Sequence, residues 1–247
     1  MTDRTVLSLT GADAVPFLQD LASNDVTGPN LTYAALLTPQ GKYLADFFVL
    51  NRDGTVWLDV AADLAQPLAQ RLSMYRLRRD VTIAAADVAV ARGSGPAPDG
   101  AHADPRHPAL GWRAYDTDLP ADDGTDWDAL RVTHLVPESG IELLPNDSYP
   151  LEMGLDRLNG IDFRKGCYVG QEVTARMKHK TALKKGLTRV LIEGAAAAGT
   201  PITAGDRPAG TLHTRSGDRA LAWLRFDRAE GEMQAGPATL RRDPTAD

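Results

Sequence analysis

Two hydrophobic periods alternate along the first ninety residues. Ala14, Phe17, Leu18 and Leu21 fall at i, i+3, i+4 and i+7, the spacing of one buried helix face. Asp13 stands where an N-cap belongs, which leaves Pro16 in the first turn, where its missing N–H costs least. The apolar runs Leu31–Thr38 and Tyr43–Leu50 flank Pro39-Gln40-Gly41 and predict a hairpin. Asp53-Gly54 then turns the chain into Thr55–Val60, where Val56, Leu58 and Val60 alternate with Trp57 and Asp59. Leu64, Leu68, Leu72 and Tyr75 predict a second helix, and Val81–Ala84 a short strand after it. A strand meander flanked by helices predicts an α+β fold rather than a doubly wound parallel sheet.

Residues 91–108 (ARGSGPAPDGAHADPRHP) are rich in Gly and Pro and show no periodicity. Four Asp within 122–128 continue the polar character, so an irregular connector is predicted near 91–128, with regular structure resuming around Leu130–Val136. From Gly186 onward short β runs alternate with Gly/Pro turns: Leu187–Ile192, Pro201–Thr203, Gly210–His213 and Arg219–Arg225. These predict a small antiparallel barrel or sandwich. The chain divides accordingly into an α+β region, 1–185, and a C-terminal β domain, 186–247.

Composition narrows the function classes. The 247 residues are 43% hydrophobic and 24% charged, the profile of a globular chain large enough to hold a core without disulfides or structural metal. A net charge of −6 argues against a general affinity for nucleic acid. No window approaches the ~20 apolar residues of a membrane span. The start, MTDRTVLSLTGAD, has neither a signal nor a transit pattern, so a soluble cytoplasmic protein is expected. His102, His107, His134 and His213 show no metal-ligand spacing.

The densest chemistry lies in GIDFRKGCYVGQEVTARMKHKTALKKG, 160–186, which holds the only cysteine, Cys167. Gln171–Met177 reads as a helix, so Cys167 falls in the loop feeding a helix N-terminus, with Arg164 and Lys165 just before it. Both features favour a thiolate over a thiol. A lone cysteine is either a small buried hydrophobe or a working thiol; here its neighbours are Arg, Lys, Gly and Tyr. The helix bearing Arg71, Arg76, Arg78 and Arg79 either meets a polyglutamate or phosphate-bearing partner or is a solvated face. Lys178, His179, Lys180, Lys184 and Lys185 form either an electropositive rim near the cysteine or a plain surface loop.

KGCYVGQE followed by TAR resembles the signature of the YgfZ-type folate-binding proteins, K-G-C-Y-x-G-Q-E-x-x-A-R. Lys165, Gly166, Cys167, Tyr168, Gly170, Gln171, Glu172, Ala175 and Arg176 match it position by position. That family has a mitochondrial counterpart in iron–sulfur maturation and is related to the aminomethyltransferase (T-protein) of the glycine cleavage system. The stretches 11–26, 33–50 and 150–163 are similar to the same superfamily. The resemblance implies two intertwined α+β subdomains around a central channel for tetrahydrofolate, or a one-carbon derivative of it, plus a small C-terminal antiparallel β-barrel.

It further implies a pterin-facing carboxylate at Glu152, with Tyr33, Asn24 and Asp25 in the region lining the channel. Asp46 interrupts an otherwise apolar strand and either faces the ligand or points to solvent; Asn24-Asp25 either lines the channel or closes the first helix. The implied function is that of a folate-dependent accessory protein for assembling or repairing iron–sulfur enzymes, including radical enzymes that modify tRNA. The resemblance favours a maturation factor over a classical catalyst, and a transferase if it is catalytic, with iron–sulfur client enzymes and assembly proteins as partners and no membrane or direct nucleic-acid contact expected. Cys167 would be the working thiol, a transient cluster or persulfide ligand or a redox-sensitive group. Lys165 and Arg176 would support the thiolate, and Gln171 and Glu172 would shape the loop. One thiolate cannot hold a cluster that takes four ligands, so no stable metal site is expected and any cluster would be shared. The alternatives are a folate-dependent aminomethyltransferase, a cysteine-nucleophile enzyme using His179, and a folate-sensing scaffold with a structural Cys167.

Overall fold

The computed structural model describes residues 3–116, 123–180 and 182–246, the side chain of Lys180 excepted. Asp122, one of the four Asp noted above, lies outside the described residues. Strands β1 (Arg4–Thr10), β2 (Thr32–Leu37), β3 (Tyr43–Arg52), β4 (Thr55–Ala61) and β5 (Thr82–Ala85) form an antiparallel sheet in the order β2-β3-β4-β1-β5. Within this sheet, β1 is the strand that sequence patterning did not mark. Its RTVLSLT sends Leu7 and Leu9 to one face and Val6 to the other, a pattern too short to stand out.

Both faces of this sheet are covered, which is why β3 reads as a near-continuous apolar run. Phe47 and Val49 pack with α1 (Ala14–Gln19) and α2 (Ala62–Arg76). Phe48 and Leu50 face a second core built from Tyr115, Trp127 and the irregular segment 150–161, through Leu151, Met153, Leu155, Leu158 and Ile161. The α+β fold and the hairpin around residues 39–41 stand as expected.

The expected irregular connector is corrected. β6 (Ala89–Gly93), β7 (His102–Ala103) and β8 (Trp112–Asp116) make a three-stranded sheet, β6-β8-β7, and α3 (Trp127–His134) follows, capped by the Asp126 carboxylate on the Ala129 N–H at 2.9 Å. The polar residues that disguised this region pair with one another inside the protein. Arg113 donates to Asp59 at 2.9 Å and to Asp104 at 3.1 Å, Arg106 to Asp104 at 2.8 Å, and Arg4 to Asp59 at 2.6 Å. The guanidiniums of Arg113, Arg106 and Arg4 lie 3.6, 4.9 and 5.5 Å from the ring centre of Phe48. Burial opposes the charge on Asp104, but Arg106 and Arg113 hold its carboxyl well below the usual range.

α4 (Gln171–Lys180) precedes the C-terminal domain. β9 (Lys185–Glu193), β10 (Pro201–Ala204), β11 (Arg207–Ser216), β12 (Arg219–Arg225), β13 (Met233–Ala235) and β14 (Ala238–Arg242) close into an antiparallel barrel, β10-β11-β12-β9-β14-β13. Its small interior is filled by Val190, Ile202, Leu212, Leu224, Met233 and Leu240. β13 and β14 escaped the sequence reading because three- and five-residue strands leave almost no periodicity. The barrel is bolted to α3: Arg189 donates to Asp243 at 2.7 Å and to the Thr133 carbonyl.

Candidate functional site

Cys167 is exposed, in the loop that enters α4, as its sequence context predicts. The loop is fixed from both sides. Tyr168 is buried in the second core, and burial pushes its phenol up to about 12. Gly170 has φ +87, and a Cβ there would stand 2.6 Å from the Thr38 carbonyl oxygen. Only glycine lets α4 begin so close to the turn between β2 and β3. Gly41 lies across this contact, where a Cβ would meet Val173 at 2.9 Å.

The structure corrects the role expected of Lys165. Its ammonium does not serve the thiol: it donates to the carbonyls of Gln19, Ala22 and Asn24 at 2.7, 2.6 and 2.9 Å, closing the open end of α1. Burial lowers its pKa to about 8, against the pull of Asp25. Arg164 is exposed and only 3.9 Å from Asp162, a loose solvent pair. Arg176 is exposed and without an ion pair among the described residues. Gly166 and Glu172 are exposed and Gln171 is half-buried, its N–H reaching back to the Tyr168 carbonyl at 3.3 Å. The Lys165 ammonium is therefore committed to the end of α1, while Arg164 and Arg176, on either side of Cys167 in sequence, are left exposed. Lys178 pairs with Asp156 at 2.8 Å, and His179 sits edge-on to Phe163.

Glu152 marks a second feature. It is buried, and its carboxylate accepts from the Trp223 indole N–H at 3.2 Å and lies 3.4 Å from the Lys185 ammonium. Its carbonyl takes the Leu187 N–H at 2.6 Å, so the first barrel strand is pinned to the residue whose side chain faces the seam. A cavity of about 220 Å³ opens there, lined by Glu152, Met153, Lys185, His213 and Trp223 among others. Lys185 lies 5.0 Å from the Trp223 ring centre, and burial lowers the pKa of His213 below its ordinary value against the pull of Glu142. Trp223 was not singled out in the sequence, and His213 was noted there only for lacking metal-ligand spacing. Both sit on barrel strands, and nothing local to β11 or β12 says which strand faces the seam.

The remaining candidates do not join this cavity. Asp46 is buried rather than solvent-facing, and it accepts from three hydroxyls: Tyr33 at 2.9 Å, Tyr43 at 2.6 Å and Ser139. Tyr33 is thereby spent inside the same knot. Asn24 donates to the carbonyls of Tyr33 and Asn159, while Asp25 is exposed and accepts from the backbone and hydroxyl of Thr27. Those Thr27 hydrogen bonds lower the pKa of Asp25. The pair closes the turn after α1.

Comparison with known proteins agrees with this architecture. A family model for the CAF17 C-terminal beta-barrel domain matches residues 184–245. The glycine cleavage system aminomethyltransferase T from Bartonella henselae superposes with a TM-score of 0.73 over 96% of this chain and 81% of that one; at 13% identity the likeness is one of fold. The mitochondrial iron–sulfur cluster assembly factor IBA57 homologue of Mycosarcoma maydis is 34% identical over 80% of this chain, which spans 57% of that relative's length. The mouse mitochondrial IBA57 is 30% identical over 93% of this chain and 78% of its own. The expectation of a cytoplasmic protein is corrected by these relatives, which are named as mitochondrial. With that identity across more than two thirds of the mouse and human proteins, the chain belongs to the IBA57 family of iron–sulfur cluster assembly factors.

Proposed function

We propose that this protein serves the maturation of iron–sulfur enzymes by presenting Cys167 as a ligand to the iron of a cluster that a partner also holds. The observation that carries this reading is the sole cysteine, exposed on a loop that Lys165, Tyr168 and Gly170 hold in place. Ligation of iron by this sulfur releases the thiol proton and moves no electron. The other ligands would come from the partner, because the described residues hold no group of three or more His, Cys, Asp or Glu suited to a metal ion. Radical enzymes that modify tRNA are included among the clients of this reading.

Tetrahydrofolate belongs to the same proposal, at the Glu152 cavity. Small-molecule pockets run to about 300–1,000 Å³, so a cavity of about 220 Å³ fits the ring system and leaves the tail outside. The donor set suits a pterin: Glu152 would accept from the N–H edge of the ring, Trp223 offers an aromatic face, and Lys185 would meet a carboxylate of the tail. When bound, tetrahydrofolate supplies a reduced pterin able to carry a one-carbon unit.

The test compares iron–sulfur enzyme activity in cells carrying wild-type or Cys167→Ser protein, with and without folate depletion. Activity should fall in the variant and under depletion; equal activity in all four conditions would remove both halves of the reading. Calorimetric titration with tetrahydrofolate isolates the cavity: Glu152→Gln should weaken binding roughly tenfold, the loss of one charge-assisted contact. Unchanged affinity in that variant would remove Glu152 from the site.

A further inference from the structure

The C-terminal turn of α2 is built unlike the rest of the surface. Leu77 is 86% exposed and Met74 61%, the two most exposed large apolar side chains among the described residues. Leu77 also has φ +49 with ψ −108, a positive-φ backbone that non-glycine residues rarely adopt. The chain therefore accepts strain to hold a leucine out in water. Beside it lies a shallow cleft of about 680 Å³ lined by Tyr75, Arg76, Leu77, Arg78, Arg79 and Asp13, and Arg71 stands earlier on the same helix.

Most of the nearby acids are already committed. The Asp13 carboxylate accepts from the Asp80 N–H at 2.8 Å, the Asp80 carboxylate accepts from the Ala12 N–H at 3.1 Å, and Asp20 pairs with Arg79 at 2.5 Å. Arg76 donates to the Val81 carbonyl and meets no carboxylate among the described residues. Arg71 and Arg78 have no ion pair among the described residues. Arg71, Arg76 and Arg78 thus carry no ion pair among the described residues beside two bare apolar side chains, while the Asp13 and Asp80 carboxylates at the edge are held by backbone N–H groups.

We infer that this turn is a docking surface for a partner protein that presents an acidic segment carrying apolar side chains. The charge pattern calls for carboxylates, and Leu77 and Met74 call for apolar groups that a polyglutamate or a phosphate backbone lacks. The surface is linked to the cysteine loop through the end of α1. Arg79 is tied to Asp20 at the end of α1, and the neighbouring Gln19 carbonyl is held by Lys165, two residues before Cys167. A partner seated here would rest on a turn tied to the end of α1, which also anchors the loop of Cys167; using that link for sulfur chemistry rests on the proposed function, whereas the docking surface itself does not.

The experiment titrates the full chain with a fluorescein-labelled amphipathic peptide of glutamate and leucine, followed by anisotropy. Saturable binding is expected, weakened about tenfold or more by Leu77→Ser and by Arg78→Glu, each with an unchanged circular dichroism spectrum. Lost binding when serine replaces the peptide's leucines supports the apolar half. Equal binding of plain polyglutamate, equal binding by both variants, or a preference for single-stranded DNA or phosphatidylserine vesicles would overturn the proposal. So would sedimentation showing that the turn is buried between two copies of this chain. Cys167→Ser should bind the peptide as the wild type does, so that failure of the docking surface and failure of the sulfur chemistry are read separately.

Discussion

Lys165 makes three charge-assisted hydrogen bonds to carbonyls that belong to the end of α1 and the turn after it. Lys165→Met would leave those acceptors unpaired, at a cost of roughly 2–4 kcal/mol. Urea denaturation should show that loss, and a variant as stable as wild type would mean that water replaces the ammonium. The residue also carries a pH signature. Its folded pKa lies near 8, below the unfolded value of 10.5, so above pH 8 the unfolded chain holds the proton longer. The burden of burying this charge is fully felt below pH 8 and is relieved as pH rises toward 10. Wild-type stability should therefore gain over that interval relative to Lys165→Met; parallel curves would contradict the burial of a charged lysine. Cys167→Ser, by contrast, alters one exposed atom and should stay within about 0.5 kcal/mol of wild type.

Among the elements, α4 depends on the absence of a side chain at Gly170. Gly170→Ala places a Cβ against the Thr38 carbonyl and forces a left-handed backbone on alanine, a strain of roughly 1–3 kcal/mol before the clash is counted. The melting temperature should fall accordingly, and an unchanged value would show that α4 can slide off the hairpin freely. The helices and the long strands were legible in the chain because Phe17, Leu18, Leu68 and Leu72, like Val56, Leu58 and Val60, repeat at the period of their element. The sheet of β6, β7 and β8 was not. Its signal is carried by Asp104, Arg106 and Arg113, polar residues that read as solvent-facing until their partners, distant in sequence, are known. The cysteine loop was legible as a motif, yet the motif could not show that Lys165 points to α1. Asp46 was ambiguous for the same reason, since Tyr33, Tyr43 and Ser139 meet only in the folded protein.

For the whole molecule, titration divides into two stages. Burial lowers the pKa of His102, His134 and His213, with Arg52 assisting at the first and His107 at the second. The unfolded chain binds these protons near the ordinary value of 6.5, before the folded one does. Stability tied to the neutral imidazoles is complete above about pH 6.5 and is lost as pH falls below it. Asp59, Asp104 and Glu138 are depressed by arginines against the opposing effect of burial. Their contribution is complete above the ordinary carboxylate range and disappears only in stronger acid. Urea midpoints at constant salt should fall between pH 7 and 5 and again below pH 4. A profile flat from 7 to 5 would mean that the imidazoles are solvated.

A chain with one sulfhydryl, standing in the open, has a single address for any thiol-seeking tag. A spin label or dye placed there reports from the working loop with no background from elsewhere. Air oxidation can join two copies through one bond alone, loop to loop, so the covalent pair formed in a reductant-free preparation would show whether two such loops can approach each other.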